Sequence, residues 1–146
     1  MAALLSSASP TQRGGAHKRY CPPHPISAAE QRAVFNNYVY EFFVTRNITK
    51  AFEIVDPSYI QHNPSLPDGP QAAIDFLTPI MPSQNITVVH TALQDNIGYI
   101  HWKDQGLNPR TTAIVDILRF EGGCIMEHWD VIQEVPANAV SSHPLF

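Results

Sequence analysis

Charge of one sign is scarce in this chain. Nine Lys and Arg are scattered among 146 residues with no basic face or run, and the formal net charge is −4. Phosphate neutralisation needs concentrated cations, so nucleic acid is excluded as a partner. Long apolar runs are also missing: none approaches the ~20 residues a bilayer-crossing helix requires, and no lipid-anchor motif is present, so no membrane partner is expected. Cysteine is limited to Cys21 and Cys124. One falls in an unpatterned leader and the other at a turn of the predicted sheet, so free thiols are expected, although an oxidising compartment would allow them to pair. What remains, 44% hydrophobic and 15% charged residues, is the composition of one soluble globular domain.

Residues 1–26 are rich in Ser, Ala, Gly and Pro without apolar periodicity and read as a mobile leader; 27–135 read as the folded domain and 136–146 as a tail. Met1–Ala8 lacks the basic start and apolar stretch of a secretory signal, which favours the cytoplasm. Lys18-Arg19 resembles a dibasic processing site, and Asn47-Ile48-Thr49 and Asn85-Ile86-Thr87 are N-glycosylation sequons, which favours secretion. Location is therefore open between the two.

Ser27 with Glu30 forms a capping-box pattern, and Val34, Phe35, Tyr38, Val39, Phe42 and Phe43 recur at helical spacing up to Arg46. A second helix is predicted over Thr49–Val55, ended by Asp56-Pro57, and a third from Pro70, ended by Pro79 and Pro82. The period then becomes two, predicting strands over Ile86–Leu93, Ile97–Lys103, Thr111–Phe120 and Ile125–Gln133, with turns at Asp95-Asn96, Gly106–Pro109 and Gly122-Gly123. A short extended piece is expected at Tyr59–His62. Helices first and strands later predict an α+β domain: a cone-shaped, curved antiparallel sheet wrapped around three N-terminal helices, leaving a pocket lined by alternate strand residues.

Alternation puts Asp116, Leu118 and Phe120 on one face of the third predicted strand, and Met126, His128, Asp130 and Ile132 on one face of the fourth, opposite Ile125, Glu127 and Trp129. If Asp116 and Asp130 face inward, His128 does too, and two carboxylates with an imidazole suffice for general acid and base work. Each residue also has a plainer role. His62 with Asn63 and Pro64 fits a turn, Asp116 fits a buried structural partner, His128 and Asp130 fit a structural hydrogen-bond pair, and Trp102 and Trp129 fit packing aromatics. His62, His101, His128 and Asp130 could gather around a metal, but no HxH or HExxH spacing supports one, so none is expected. Cys124 lies at a turn without a cationic neighbour in sequence and is not read as a nucleophile.

Tyr59-Ile60-Gln61-His62-Asn63-Pro64, Asp68-Gly69, Val115-Asp116-Ile117-Leu118-Arg119-Phe120 and Glu127-His128-Trp129-Asp130-Val131-Ile132-Gln133, in that order, resemble the SnoaL-like polyketide cyclases of the nuclear transport factor two-like and ketosteroid isomerase-like superfamily. The resemblance spans Ser27–Gln133 and departs at Glu121-Gly122-Gly123-Cys124, where the family usually has acid-glycine-lysine. It implies a cone with a highly curved sheet, paired as a homodimer through the outer sheet face. It also implies cofactor-independent abstraction of a proton beside a carbonyl, followed by aldol cyclisation or isomerisation of a small apolar carbonyl compound. By position, Asp116, His128 and Asp130 are the first acid/base candidates and His62 the next. Asn63 is expected to hold a substrate oxygen, with Tyr59, His101, Trp102, Leu118 and Ile132 as further binding residues. Two alternatives stay open: a non-catalytic small-ligand-binding domain, and a hydrolase or dehydratase activating water in the same pocket.

Overall fold

The computed structural model describes residues 19–106 and 109–146. Helix α1 (Ala28–Val39) starts where the capping pattern predicts, with Ser27 Oγ accepting from the Glu30 amide at 3.1 Å. It continues into a wider π turn at Tyr40–Val44, which brings the consecutive rings of Phe42 and Phe43 to the inner side. Helix α2 (Ile48–Ala51) is capped by Asn47 and tightens into a 3-10 turn at Phe52–Ile54. The predicted second helix is thus shorter than expected, because Val55 already belongs to strand β1 (Val55–Gln61). Helix α3 (Pro70–Ile80) begins on Pro70, as predicted, and carries Pro79 in its last turn.

Strands β2 (Asn85–Gln94), β3 (Ile97–Gln105), β4 (Thr112–Glu121) and β5 (Cys124–Glu134) form an antiparallel meander. The sheet order is β1-β5-β4-β3-β2, and β1 runs parallel to β5. The sheet is therefore mixed rather than wholly antiparallel. Hairpin geometry governs only neighbours joined by short turns, whereas β1 reaches β5 through most of the domain and is free to lie parallel. Asp95 and Asn96 both have positive φ, as a two-residue hairpin turn demands. The other two-residue turn is Gly122-Gly123, with Gly122 at φ +58°.

Register shifts interrupt β2 between Val88 and His90 and the β4–β5 pair between Arg119 and Phe120. Such bulges bend a strand and increase its twist, which curves the sheet around the helices. The second shift also corrects the predicted facing of Ile125. It pairs with Phe120, and both are about 1% exposed in the core.

The core joins Phe35, Leu118, Phe120 and Ile125, with Phe35 edge-on to Phe120 at 6.1 Å. Gly98 is needed there, since a Cβ on it would lie 2.7 Å from Phe35 Cε2. Helix α1 is fastened to the hairpin ends by Arg32 Nη2 donating to Leu93 O at 2.8 Å and Gln31 Nε2 donating to Gly122 O at 2.7 Å.

The cysteines, expected as free thiols, form a disulfide, Cys21–Cys124, with Cα atoms 5.1 Å apart. Residues 19–26, assigned by sequence to the leader, lie across the β4–β5 turn, with the Tyr20 ring against Gly123 and the His24 carbonyl against Gly122. The rest of the predicted leader, including Lys18, lies outside the described residues.

Candidate active site

A cavity of about 120 Å³ lies between the concave inner face of the sheet and the helices. Its walls are mostly apolar, from Phe42, Leu77, Ile80 and Ile114 among others. Polar groups enter from four strands, β1, β3, β4 and β5. Register pairs Asp116 with Asp130 and Leu118 with His128 across β4–β5, and Asp116 with Ile100 across β3–β4, so the inward-facing residues form one surface. Asp116, His128 and Asp130 each have a ligand-capable atom within 4.8 Å of the others.

Asp116 is held on both oxygens. Trp102 Nε1–H donates to Oδ2 at 2.8 Å, and Oδ1 lies 3.1 Å from His128 Nε2. The other ring nitrogen, Nδ1, is 2.8 Å from Gln61 Oε1. That oxygen also accepts the backbone N–H of Asn63 at 3.0 Å. A backbone amide can only donate, which fixes the Gln61 amide orientation and makes His128 Nδ1 a donor. Nε2 and Asp116 Oδ1 stand within reach of one bridging proton, which completes a chain of contacts Gln61–His128–Asp116–Trp102 at the cavity wall. Asp130 Oδ2 accepts a short hydrogen bond from Asn63 Nδ2, and Asn63 Oδ1 accepts from the Ser65 amide at 2.8 Å.

Two tyrosines complete the polar surface. Tyr59 Oη accepts from Gln61 Nε2 at 3.2 Å. Burial first, and the nearby charge of Asp116 second, push the Tyr59 phenol above its ordinary range. Burial, then Tyr59 and Asp116, do the same to Tyr38. Both stay protonated at neutral pH and serve as neutral hydroxyls at the cavity.

The Asp68-Gly69 pair of the sequence reading is structural. Asp68 Oδ1 accepts from the Gln61 amide at 2.8 Å and the Gly69 amide donates to Tyr59 O at 2.9 Å, closing the loop against β1. This aims Tyr59 and Gln61 inward.

Of the residues predicted from sequence, Asp116, His128, Asp130, Tyr59, Asn63, Trp102 and Ile132 all line the cavity. Leu118 faces the same side but is buried in the core cluster and does not line it. His101 does not face the cavity: it pairs with Val115 on the outer face and stacks beside His90, Nδ1 to Nδ1 3.2 Å. His62 is also on the outer face. Its Nε2 is 2.7 Å from Glu127 Oε1 and its ring stacks on Trp129 at 4.6 Å. Both misplacements follow from period two, since Tyr59 and Gln61 inward put His62 outward, and Trp102 inward puts His101 outward. Gln61, Tyr38 and Asp104, all on the cavity, were missed. Gln61 was findable, standing two residues from both Tyr59 and Asn63. Tyr38 was visible only as a core position of α1.

Asp116, His128 and Asp130 would also offer a cation three ligands. An ion there would have to displace the His128–Asp116 contact and compete with Asn63 for Asp130.

No family model matches the chain, and no curated protein matches it. Solved structures do. An NTF2-like protein of unknown function from Mesorhizobium loti superposes with a TM-score of 0.61 at 18% identity, over 75% of this chain and 97% of that one. A candidate ketosteroid isomerase from Kribbella flavida DSM 17836 gives 0.62 at 12% identity, over 77% and 84%. TsrD from Streptomyces laurentii gives 0.57 at 12% identity, over 73% and 90%. The chain thus has the NTF2-like α+β cone fold, the fold that the SnoaL-like resemblance implies. Identities this low carry the fold alone.

Proposed function

We propose that the chain is a cofactor-independent acid/base enzyme that enolises a small, largely apolar carbonyl compound and completes an aldol cyclisation or an isomerisation. The observation that carries this reading is the Gln61–His128–Asp116 chain of hydrogen-bond contacts at the wall of an apolar cavity. A substrate carbonyl seated there would accept from the Tyr59 hydroxyl. The Asp116–His128 pair would take the proton from the adjacent carbon, and Tyr59, kept protonated by burial, would stabilise the oxyanion as charge develops. The same pair, or Asp130, would return a proton at the new position or to the new alkoxide. A void of about 120 Å³ is close to the engineered cavity of about 150 Å³ that holds benzene, so a single ring or a short chain end enters it.

The homodimer expected through the outer sheet face is part of the proposal. Tyr99, Ile60 and Val131 stand 42%, 42% and 60% exposed there, an apolar surface a second copy would cover. Sedimentation of the purified protein tests it, a monomer at micromolar concentration counting against it.

The catalytic reading is tested by solvent deuterium exchange into a panel of small cyclic and polyketide-like ketones, read by mass spectrometry. Exchange is expected with the wild type, falling at least 100-fold in Asp116→Asn and in His128→Ala, as loss of a positioned acid or base typically costs about 10²–10⁴. His62→Ala is expected to exchange normally, since His62 lies outside. Ketones that bind without exchanging would reduce the site to a binding pocket, and oxygen incorporation from labelled water would point to hydrolysis or dehydration instead.

A further inference from the structure

The sequence carries two sequons and the structure adds a disulfide, and the fold brings them into one account. A protein disulfide between residues 103 apart in sequence forms and persists in an oxidising compartment. In eukaryotic cells that compartment also holds the transferase for Asn-x-Thr sequons. Both acceptors then have to sit where a bulky sugar is tolerated, and both do.

Asn85 opens β2, an edge strand of the sheet, and Asn85 and Thr87 are both exposed on its outer side while Ile86 between them packs against the core. Asn85 Nδ2 donates one hydrogen bond, to Gln105 Oε1 at 3.2 Å. The amide nitrogen of a glycosylated asparagine keeps one hydrogen, so this bond survives modification. Asn47 is exposed at the start of α2, with Thr49 exposed and Ile48 between them 2% exposed. Asn47 Oδ1 accepts from the Lys50 amide at 3.1 Å as the helix cap, so the oxygen is used inward and Nδ2 is left for a sugar. In each sequon the apolar middle residue is an anchor that turns the two reactive positions outward.

We infer that Asn85 and Asn47 are N-glycosylation sites and that the chain folds in an oxidising secretory compartment. The transfer joins Asn Nδ2 to C1 of an oligosaccharide carried on a lipid diphosphate. The C1–O bond to the diphosphate breaks, the diphosphate leaves with the electron pair, and one Nδ2 proton passes to a base of the transferase. A glycan on Asn85 would shield the open edge of β2 from adding strands of other chains. It would also confine the proposed self-association to the β1, β5 and β4 side of the outer face.

The test is to secrete the full 146-residue chain from yeast behind a fused secretion signal and to measure intact mass before and after peptide-N-glycosidase in ¹⁸O-labelled water. Two glycans are expected, with label at Asn85 and Asn47 after release. Asn85→Gln and Thr87→Ala should each remove one glycan, and Thr49→Ala the other. Thr49→Ala keeps the Asn47 cap, so its loss of glycan cannot be a folding failure, and thiol titration reports the disulfide in every sample. Secreted protein with the disulfide closed and no sugar at either residue overturns the inference, and sugar at one alone overturns the assignment of the other. Two free thiols in the secreted protein would remove the oxidising-compartment half.

Discussion

Breaking the Cys21–Cys124 bond is the perturbation whose size follows most directly from the fold. The bond closes a loop with a sequence separation of 103 residues. In the chain-entropy account a loop of about 100 residues restrains the unfolded chain by about 4.7 kcal/mol at 25 °C, while measured effects are typically ~2–4 kcal/mol. With a urea dependence of about 2 kcal/mol/M for a domain of this size, Cys21→Ser should lower the unfolding midpoint by ~1–2 M. Cys21 is the residue to change. Cys124 has no exposed surface, and a hydroxyl placed there would add a core defect to the lost cross-link. The freed Cys124 thiol keeps a neighbour, because its Sγ lies 3.8 Å from Asp56 Oδ2. Unfolding is followed by the fluorescence of Trp102, which is 6% exposed in the native core. Reduced wild type should match the variant. A midpoint within a few tenths molar of the oxidised wild type, with free thiols verified by titration, would show that the bond carries no cross-link stabilisation and refute the reasoning.

Gln61→Leu should slow exchange by about 10- to 100-fold, because a hydrogen bond to a charged group is worth roughly 1.5–3 kcal/mol; Gln61→Glu, which keeps an acceptor for His128 Nδ1, should recover part of it. Gly122→Ala should cost ~1–3 kcal/mol in a urea titration, since Gly122 sits at φ +58° and a Cβ would run into the His24 carbonyl. Raising pH should destabilise the fold in the alkaline range. The buried phenols of Tyr59 and Tyr38 have folded-state pKa values above the unfolded value of about 10, so their contribution is complete below pH ~10 and is lost as pH rises from there through the folded values. The slope is about 1.4 kcal/mol per pH unit for each tyrosine, and Tyr59→Phe should reduce it; a midpoint flat from pH 9 to 11 would contradict it.

The sequence made some levels of this structure readable and hid others, for physical reasons that differ. Caps and turns are local, so Ser27, Pro70, Asp95-Asn96 and Gly122-Gly123 announced their elements. The four meander strands showed a period of two because one face packs on helices. Strand β1 was seen only at its end, since Asp56-Pro57-Ser58 breaks the apolar pattern; proline is tolerated there because β1 is an edge strand. The disulfide was invisible because nothing local relates positions 103 apart. Within the site, Asp116, His128 and Asp130 were legible as a set because alternation holds along β4 and the later part of β5. His101 and Trp102 are adjacent on one strand, and only one of them could face the cavity. His62 needed the facing of β1, which a four-residue fragment leaves undecided.

Two histidine–carboxylate pairs lie on opposite faces of the same sheet, each with one member on β5, and a single bulge decides which one the cavity receives. The turn at Gly122-Gly123 pairs Glu121 with Cys124 and Phe120 with Ile125. Continued without interruption, that register would set Glu127 and Trp129 across from Leu118 and Asp116, facing the helices, and would send His128 and Asp130 outward. The extra residue at Met126 shifts the pairing by one, so that Leu118 meets His128 and Asp116 meets Asp130. Ile125 stays in the core on one side of the shift while the catalytic candidates enter the cavity on the other. The pair left outside is tied to a fixed cation. Arg119 Nε at 2.7 Å, and His62 after it, hold the Glu127 carboxyl below its usual range, so it stays ionised and paired at neutral pH. The pair brought inside has only neutral groups as its other direct hydrogen-bond partners among the described residues, the Trp102 N–H donating to Asp116 and the Gln61 amide oxygen accepting from His128. A proton can therefore pass between Asp116 and His128 without breaking an ion pair to a fixed cation, which is the condition an acid/base site needs and the outer pair does not meet.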